Sequence, residues 1–208
     1  MERPVTALIL VDLQHDFMPG GALGVPDGNQ VVPVANRVQP LFGLVVATQD
    51  WHPPDHGSFA AQHPGRKPGD VIELGGQPQI LWPVHCVQNT PGAALVAELD
   101  TRRIDRVFYK GTDPTIDSYS AFFDNGHRRS TGLGEYLQQQ GVTDVYLAGL
   151  ATDYCVKYSA LDARRFGFRT FVILDGCRGV NLRANDSAAA LEEMKSAGVE
   201  ITPSADLA

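Results

Sequence analysis

The chain has 208 residues, a formal net charge of −7 and no basic cluster, which argues against nucleic acid and anionic membrane surfaces as partners. No apolar run approaches the ~20 residues of a membrane span. Met1-Glu-Arg-Pro leads into a strand pattern without the features of a signal peptide, and three cysteines, Cys86, Cys155 and Cys177, give no disulfide framework. A cytoplasmic location and a small, uncharged substrate fit these bounds, and a homo-oligomer is compatible with them.

Thr6 to Asp12 is a near-continuous apolar run ending in a carboxylate, the pattern of a strand buried on both faces. Pro19-Gly-Gly and Pro26-Asp-Gly mark a long loop. Val31 to Phe42 predicts a helix with Val31, Val34, Ala35 and Val38 on one face. Leu44 to Thr48 is a second strand running into Gln49-Asp50-Trp51-His52.

Pro53 to Pro91 is rich in Pro, Gly and His with little periodicity, and loops this long in compact domains usually carry function. Ala93 to Leu99 predicts a helix and Arg106 to Lys110 a third strand. A loop over Gly111 to Thr131 follows, then a helix from Leu133 to Gln140 that stops at Gly141.

Val145 to Ala148 is a fourth strand, broken by Gly149. Thr152 and Asp153 offer N-cap side chains for a helix carrying Val156, Ser159, Ala160 and Ala163. That puts Cys155 in a first helical turn, where the dipole and free N–H groups favour a thiolate. Thr170 to Asp175, a helix near Ala188 to Ala197 and an edge strand at Val199 to Ile201 complete the chain.

Apolar strands alternating with helices predict a single domain over residues 1–208. It is a doubly wound α/β fold with a six-stranded, mainly parallel sheet flanked by helices. Ligands bind beyond the carboxyl ends of such strands. Asp12, Asp50, Lys110 and the Gly149–Cys155 turn all fall at strand ends, so they should line one crevice. Each alone has an ordinary reading: Asp12 as a turn residue, Lys110 as a surface ion-pair partner, Cys155 as core packing. Together they suit nucleophilic catalysis, with burial raising Asp12 until it can take a thiol proton and the Lys110 cation lowering Cys155.

A second constellation is Asp50-x-His52-x3-His56 with His85 further on. One carboxylate and up to three imidazoles suit a divalent transition metal, although His and Asp are also common in exposed loops.

Six stretches carry a resemblance: Asp12-Leu-Gln-His-Asp-Phe17, Asp50-Trp-His52, Trp82-Pro-Val-His-Cys86, Tyr109-Lys-Gly111, Asp117-Ser-Tyr-Ser-Ala-Phe122 and Gly149-Leu-Ala-Thr-Asp-Tyr-Cys155. In order and spacing they resemble the nicotinamidase/pyrazinamidase family of the isochorismatase-like hydrolase superfamily, from about Ala7 to Ile201. The resemblance implies hydrolysis of nicotinamide, and of pyrazinamide, within NAD salvage. It implies Cys155 as nucleophile, Asp12 as general acid/base and Lys110 as third member of a triad. It also implies a cis Leu150–Ala151 bond and an oxyanion hole from the N–H groups of Ala151 and Cys155. It implies one divalent metal ion on Asp50, His52, His56 and His85, with zinc the first choice and iron or manganese compatible. Phe17, Trp82, Tyr119 and Tyr154 fall at or near substrate-pocket positions, Tyr154 standing where some family members carry His. His15, His63 and His127 match no ligand position.

Two alternatives stay open from the sequence. One is a superfamily hydrolase of another small amide or carbamoyl compound. The other is a dinucleotide-binding module, suggested by Gly20-Gly-Ala-Leu-Gly24 but lacking G-x-G-x-x-G spacing and a helix directly after it.

Overall fold

The strands of the sheet are built from residues that prefer a pleated, two-sided burial. In a computed structural model of the chain, which describes residues 5–207, β1 (Thr6–Val11) is buried on both faces. Its alternate side chains serve two cores: Leu8 and Leu10 pack toward α1 (Val31–Val38), whereas Ala7, Ile9 and Val11 pack on the opposite side. Full burial of each Leu or Ile contributes about 1.5–3 kcal/mol of transfer free energy. The reading of Met1-Glu-Arg-Pro falls outside the described residues.

β1 pairs with β2 (Leu44–Asp50) on one side and β6 (Asp144–Leu150) on the other. β5 (Arg106–Lys110) extends the sheet beyond β2, and β7 (Arg169–Arg178) and β8 (Glu200–Thr202) extend it beyond β6. The order is β5-β2-β1-β6-β7-β8 and every pairing is parallel. The other core receives α2 (Leu133–Gln139), α3 (Lys157–Arg165) and α4 (Asp186–Ser196), through residues such as Leu137, Ala160 and Met194.

The chain winds outward from β1 to β5 and then returns to β6, so the order reverses between β1 and β6. That is the switch point where a doubly wound sheet opens a crevice beyond its strand ends. Asp12 follows β1 and Cys155 follows β6, placing both at that point.

Four expectations need correction. The helix expected over Val31 to Phe42 ends at Val38 and tightens into a 3₁₀ turn, Gln39–Leu41, that contains Pro40. Ala93 to Leu99 is not a helix. After a 3₁₀ turn at Pro91–Ala93 its backbone bonds to the segment following β1: His15 N–H donates to the Ala94 carbonyl and Val96 N–H to that of Leu13. The long loop contains a hairpin that periodicity missed, β3 (Val71–Leu74) against β4 (Gln77–Ile80). Finally, Thr152 and Asp153 do not cap a helix. Thr152–Val156 forms a π-helical turn before α3, and the Asp153 carboxylate instead accepts from Val180 N–H and Asn181 N–H. No helix among the described residues is long and apolar enough to cross a membrane. β1 and α1 are separated by a long loop, so no glycine turn runs directly from strand to helix as a dinucleotide cradle requires.

Candidate active site and metal centre

Parallel strands that end together bring their last side chains together. Asp50 and Lys110 are direct partners in the β2–β5 register, and Val11 pairs Gly149 in the β1–β6 register. At Gly149 the backbone has φ +142° and an added Cβ would lie 2.1 Å from the Val11 carbonyl, so only glycine lets β6 turn this close to β1. Asp12 itself sits in the left-handed region at φ 51°, which a short polar side chain visits more readily than most.

Lys110, Asp12, Asp50 and Cys155 are all buried. Lys110 Nζ lies 2.8 Å from Asp12 Oδ2, 2.5 Å from Asp50 Oδ1 and 3.4 Å from Cys155 Sγ, and donates to the Ser118 carbonyl at 3.1 Å. Thr48, missed in the sequence, donates its hydroxyl to Asp12 Oδ1 at 2.6 Å. The other oxygen, Oδ2, touches the ammonium without an aligned hydrogen bond.

One ammonium serves two carboxylates unequally. Burial would raise Asp50, but Lys110 and His52 outweigh it and hold the carboxyl well below the usual range. Burial, with Asp50 adding to it, leaves Asp12 raised in spite of Lys110. Burial would lower Lys110, but Asp12 and Asp50 keep it firmly protonated. For Cys155 the sequence expectation is reversed. Burial pushes the thiol well above its ordinary value, Asp12 and Asp50 push the same way, and Lys110 offsets only part. Free Cys155 is therefore a thiol.

Asp50 also faces the histidines. Its Oδ2 lies 3.5 Å from His52 Nε2 and 3.7 Å from His85 Nε2. The far nitrogens are held by the backbone: His52 Nδ1 donates to the Gly111 carbonyl and His85 Nδ1 to that of Pro83, each at 2.8 Å. In the neutral ring each Nε2 then carries the lone pair. Burial would lower His52, but Asp50 outweighs it and raises its pKa, so a metal bound there would displace the proton. Gly111 is required here, since at φ +63° an added Cβ would stand 2.4 Å from the His52 ring. His56 Nδ1 pairs with the Ser58 hydroxyl at 2.7 Å, and burial holds this imidazole neutral, its pKa lowered to about 4.

The Nε2 atoms of His52 and His56 are buried and have no hydrogen-bond partner among the described residues. Orphaned imidazole nitrogens beside a carboxylate have the donor chemistry that a divalent cation accepts. A tetrahedral ion with bonds of about 2.1 Å separates its ligands by about 3.4 Å. The Asp50–His52 and Asp50–His85 spacings match that edge, so the residues fit a divalent metal ion. His56 belongs to an adjoining group with His52 and Asp117, whose ligand atoms lie within 4.8 Å of one another. Asp117 opens the Asp117-Ser-Tyr-Ser-Ala-Phe122 stretch, and nothing in its sequence spacing to the histidines marks it as part of the site.

Phe17, Trp82, Tyr119 and Tyr154 line one small pocket together with Asp50, His85, Ala151 and Cys155, joined by Leu23, Asp117 and Val180. Trp82 and Tyr154 meet edge to face at 5.0 Å. The Tyr119 hydroxyl accepts from Trp82 Nε1 at 3.1 Å and from Gln79 Nε2 at 2.9 Å, so the unpredicted hairpin braces the aromatic wall. The Leu150–Ala151 bond is cis. His15 and His127 are exposed and His63 half-buried, and none of the three belongs to the candidate metal groups or lines this pocket.

Fold and site together define a hydrolase built on a doubly wound parallel sheet. The family model of the Isochorismatase domain matches residues 6–206, and the chain belongs to that family. It is 51% identical to a nicotinamidase of Escherichia coli, over 98% of this chain and 97% of that protein. A solved nicotinamidase/pyrazinamidase of Acinetobacter baumanii superposes with a TM-score of 0.96 at 43% identity, covering 100% of both chains. A pyrazinamidase of Pyrococcus horikoshii, solved in complex with zinc, superposes with a TM-score of 0.77 at 40% identity over 96% of this chain and 99% of that one.

Proposed function

We infer that this chain hydrolyses nicotinamide to nicotinate and ammonia, with pyrazinamide as a further substrate, in NAD salvage in the cytoplasm. The observation that carries the reading is the contact of one buried lysine with Asp12, Asp50 and Cys155 beside a flat aromatic pocket. Likeness to the E. coli and A. baumanii proteins, over almost the whole of each chain, supports the substrate.

Cys155 Sγ attacks the carboxamide carbon, and its proton passes to Asp12 Oδ2, the oxygen with no aligned donor. Because the free thiol is held up by burial, this transfer accompanies attack and does not precede it. The carbonyl oxygen becomes an oxyanion, received by the N–H groups of Ala151 and Cys155, two residues that line the pocket. Asp12 returns the proton to the nitrogen as the C–N bond breaks, releasing ammonia and leaving a thioester. Water then attacks the thioester carbon and Asp12 takes one of its protons. Asp12 passes that proton to sulfur as the C–S bond breaks, and the acid loses the second proton to solvent and leaves as nicotinate. Lys110 keeps Asp12 and Asp50 in place and offsets the negative charge that moves between Asp12 and sulfur.

Asp50, His52, His56 and His85 would hold one divalent ion, zinc in the first place, which supplies an electrophilic partner for the pyridine nitrogen. Phe17, Trp82, Tyr119 and Tyr154 flank the ring. The whole chain is read as one hydrolase domain.

The deciding experiment is ammonia release from nicotinamide by the purified protein, with Cys155→Ala as control. Wild type should turn over, and the variant should fold and be inert. A wild-type protein without ammonia release, or an active Cys155→Ala, would remove the reading.

A further inference from the structure

Asp117 sits where the triad, the metal ligands and the aromatic wall meet. Its carboxylate is buried, at 3% exposure, and among the described residues accepts only from its neighbour's Ser118 N–H at 2.7 Å and from Gln79 Nε2 at 3.1 Å. Among the described residues no lysine or arginine pairs with it, because the nearby ammonium of Lys110 is spent on Asp12 and Asp50. A buried carboxylate with no cation is costly, so its retention needs a reason.

The surroundings supply one. A carboxylate oxygen of Asp117 lies within 4.8 Å of ligand nitrogens of both His52 and His56, whose Nε2 atoms are the orphaned ones. His52 is therefore shared between two groups, one with Asp50 and His85 and one with His56 and Asp117. Charge points the same way. Asp12, Asp50 and Asp117 against Lys110 give these four buried groups a formal charge of −2, the complement of one dication. Moving a proton from Cys155 to Asp12 leaves that balance unchanged. Without Asp117 the site would be one charge short, since Asp50 already shares its charge with Lys110.

We propose that the Asp117 carboxylate is a further member of the metal centre, supplying from the His56 side the second negative charge that retains a divalent cation. The inference rests on the metal reading above. It assigns Gln79 a lesser part, fixing the carboxylate by one hydrogen bond from β4.

The test is Zn²⁺ affinity of the full chain, measured by competition with a chromophoric chelator, together with the visible absorption of the Co²⁺-loaded protein. Asp117→Asn keeps size and removes charge. It should weaken Zn²⁺ binding by about tenfold or more and change the Co²⁺ bands. Gln79→Ala removes the hydrogen bond and keeps the charge, so its affinity should stay close to wild type. Equal affinity in Asp117→Asn and wild type would overturn the inference and leave the metal reading intact. Equal weakening in both variants would assign the effect to loop packing and also overturn it. A wild-type protein that binds no Zn²⁺ would remove the metal reading, and this inference with it.

Discussion

Lys110 donates to Asp50 Oδ1 while Asp50 Oδ2 faces His52 and His85, so a single carboxylate belongs to both halves of the site. The proposed triad and the proposed metal ligands are therefore electrostatically joined. Deleting the ammonium exposes that link. Lys110→Met should abolish turnover and leave two buried carboxylates without their cation. Breaking a buried pair in this way costs about 3–5 kcal/mol, read as a lower midpoint of urea unfolding in metal-free protein. Adding Zn²⁺ should then stabilise the variant more than wild type, because Asp50 has its full charge to offer. A variant as stable as wild type without metal would show that Lys110 is not the counter-ion of Asp12 and Asp50.

Asp12 has opposite effects on the two stages of the proposed chemistry. Its charge raises the Cys155 thiol, yet its oxygen is the acceptor of the thiol proton. Asp12→Asn removes the charge, so Cys155 should titrate at lower pH with Lys110 now favouring the thiolate. Iodoacetamide should label Cys155 faster in Asp12→Asn than in wild type at pH 8, while ammonia release from nicotinamide is lost. Slower labelling would mean that Asp12 activates the free thiol, contrary to the sign argued here.

The strand ends were legible because buried parallel strands are apolar runs, and a polar residue closing such a run stands out. Asp12 and Lys110 were found in that way, and Asp50 lies two residues beyond the run that marked β2. The metal histidines and the pocket aromatics came from motif resemblance, since loop spacing does not tell a ligand from an exposed His. Three things depended on tertiary context. The β3–β4 hairpin includes Pro78, which obscures a strand pattern. The Ala94–Val96 backbone gives its bonds to Leu13 and His15 and not to a helix. The direction of the Cys155 shift required knowing how deeply the sulfur is buried, which no spacing reveals.

Gly111 is the backbone support of His52: its carbonyl fixes Nδ1, and its bare Cα lets the ring approach. Gly111→Ala puts a methyl 2.4 Å from the ring at φ +63°. The left-handed conformation alone costs about 1–2 kcal/mol, and the clash adds to it. Unfolding midpoint and Zn²⁺ content should both fall. An alanine variant with normal metal content and stability would mean that His52 does not depend on this close approach.

The metal and the thiol have separable tasks in the proposed reaction. Proton transfer from Cys155 to Asp12 uses groups just after β1, on β5 and in the turn after β6, whereas the histidines come from the segment between β2 and β5. Chelation or His52→Ala should therefore strongly lower kcat/KM for nicotinamide, while alkylation of Cys155 by a small neutral reagent persists. Loss of charge balance in the pocket will also disturb Asp50, and one comparison isolates the ring nitrogen from that effect. Benzamide has the same carboxamide and the same flat ring without the nitrogen, so it should be a poor substrate with metal or without it. Hydrolysis of benzamide as fast as nicotinamide by Zn²⁺-loaded protein would show that the ion does not hold the pyridine. Full nicotinamide turnover in a sample verified as metal-free would count equally against that role.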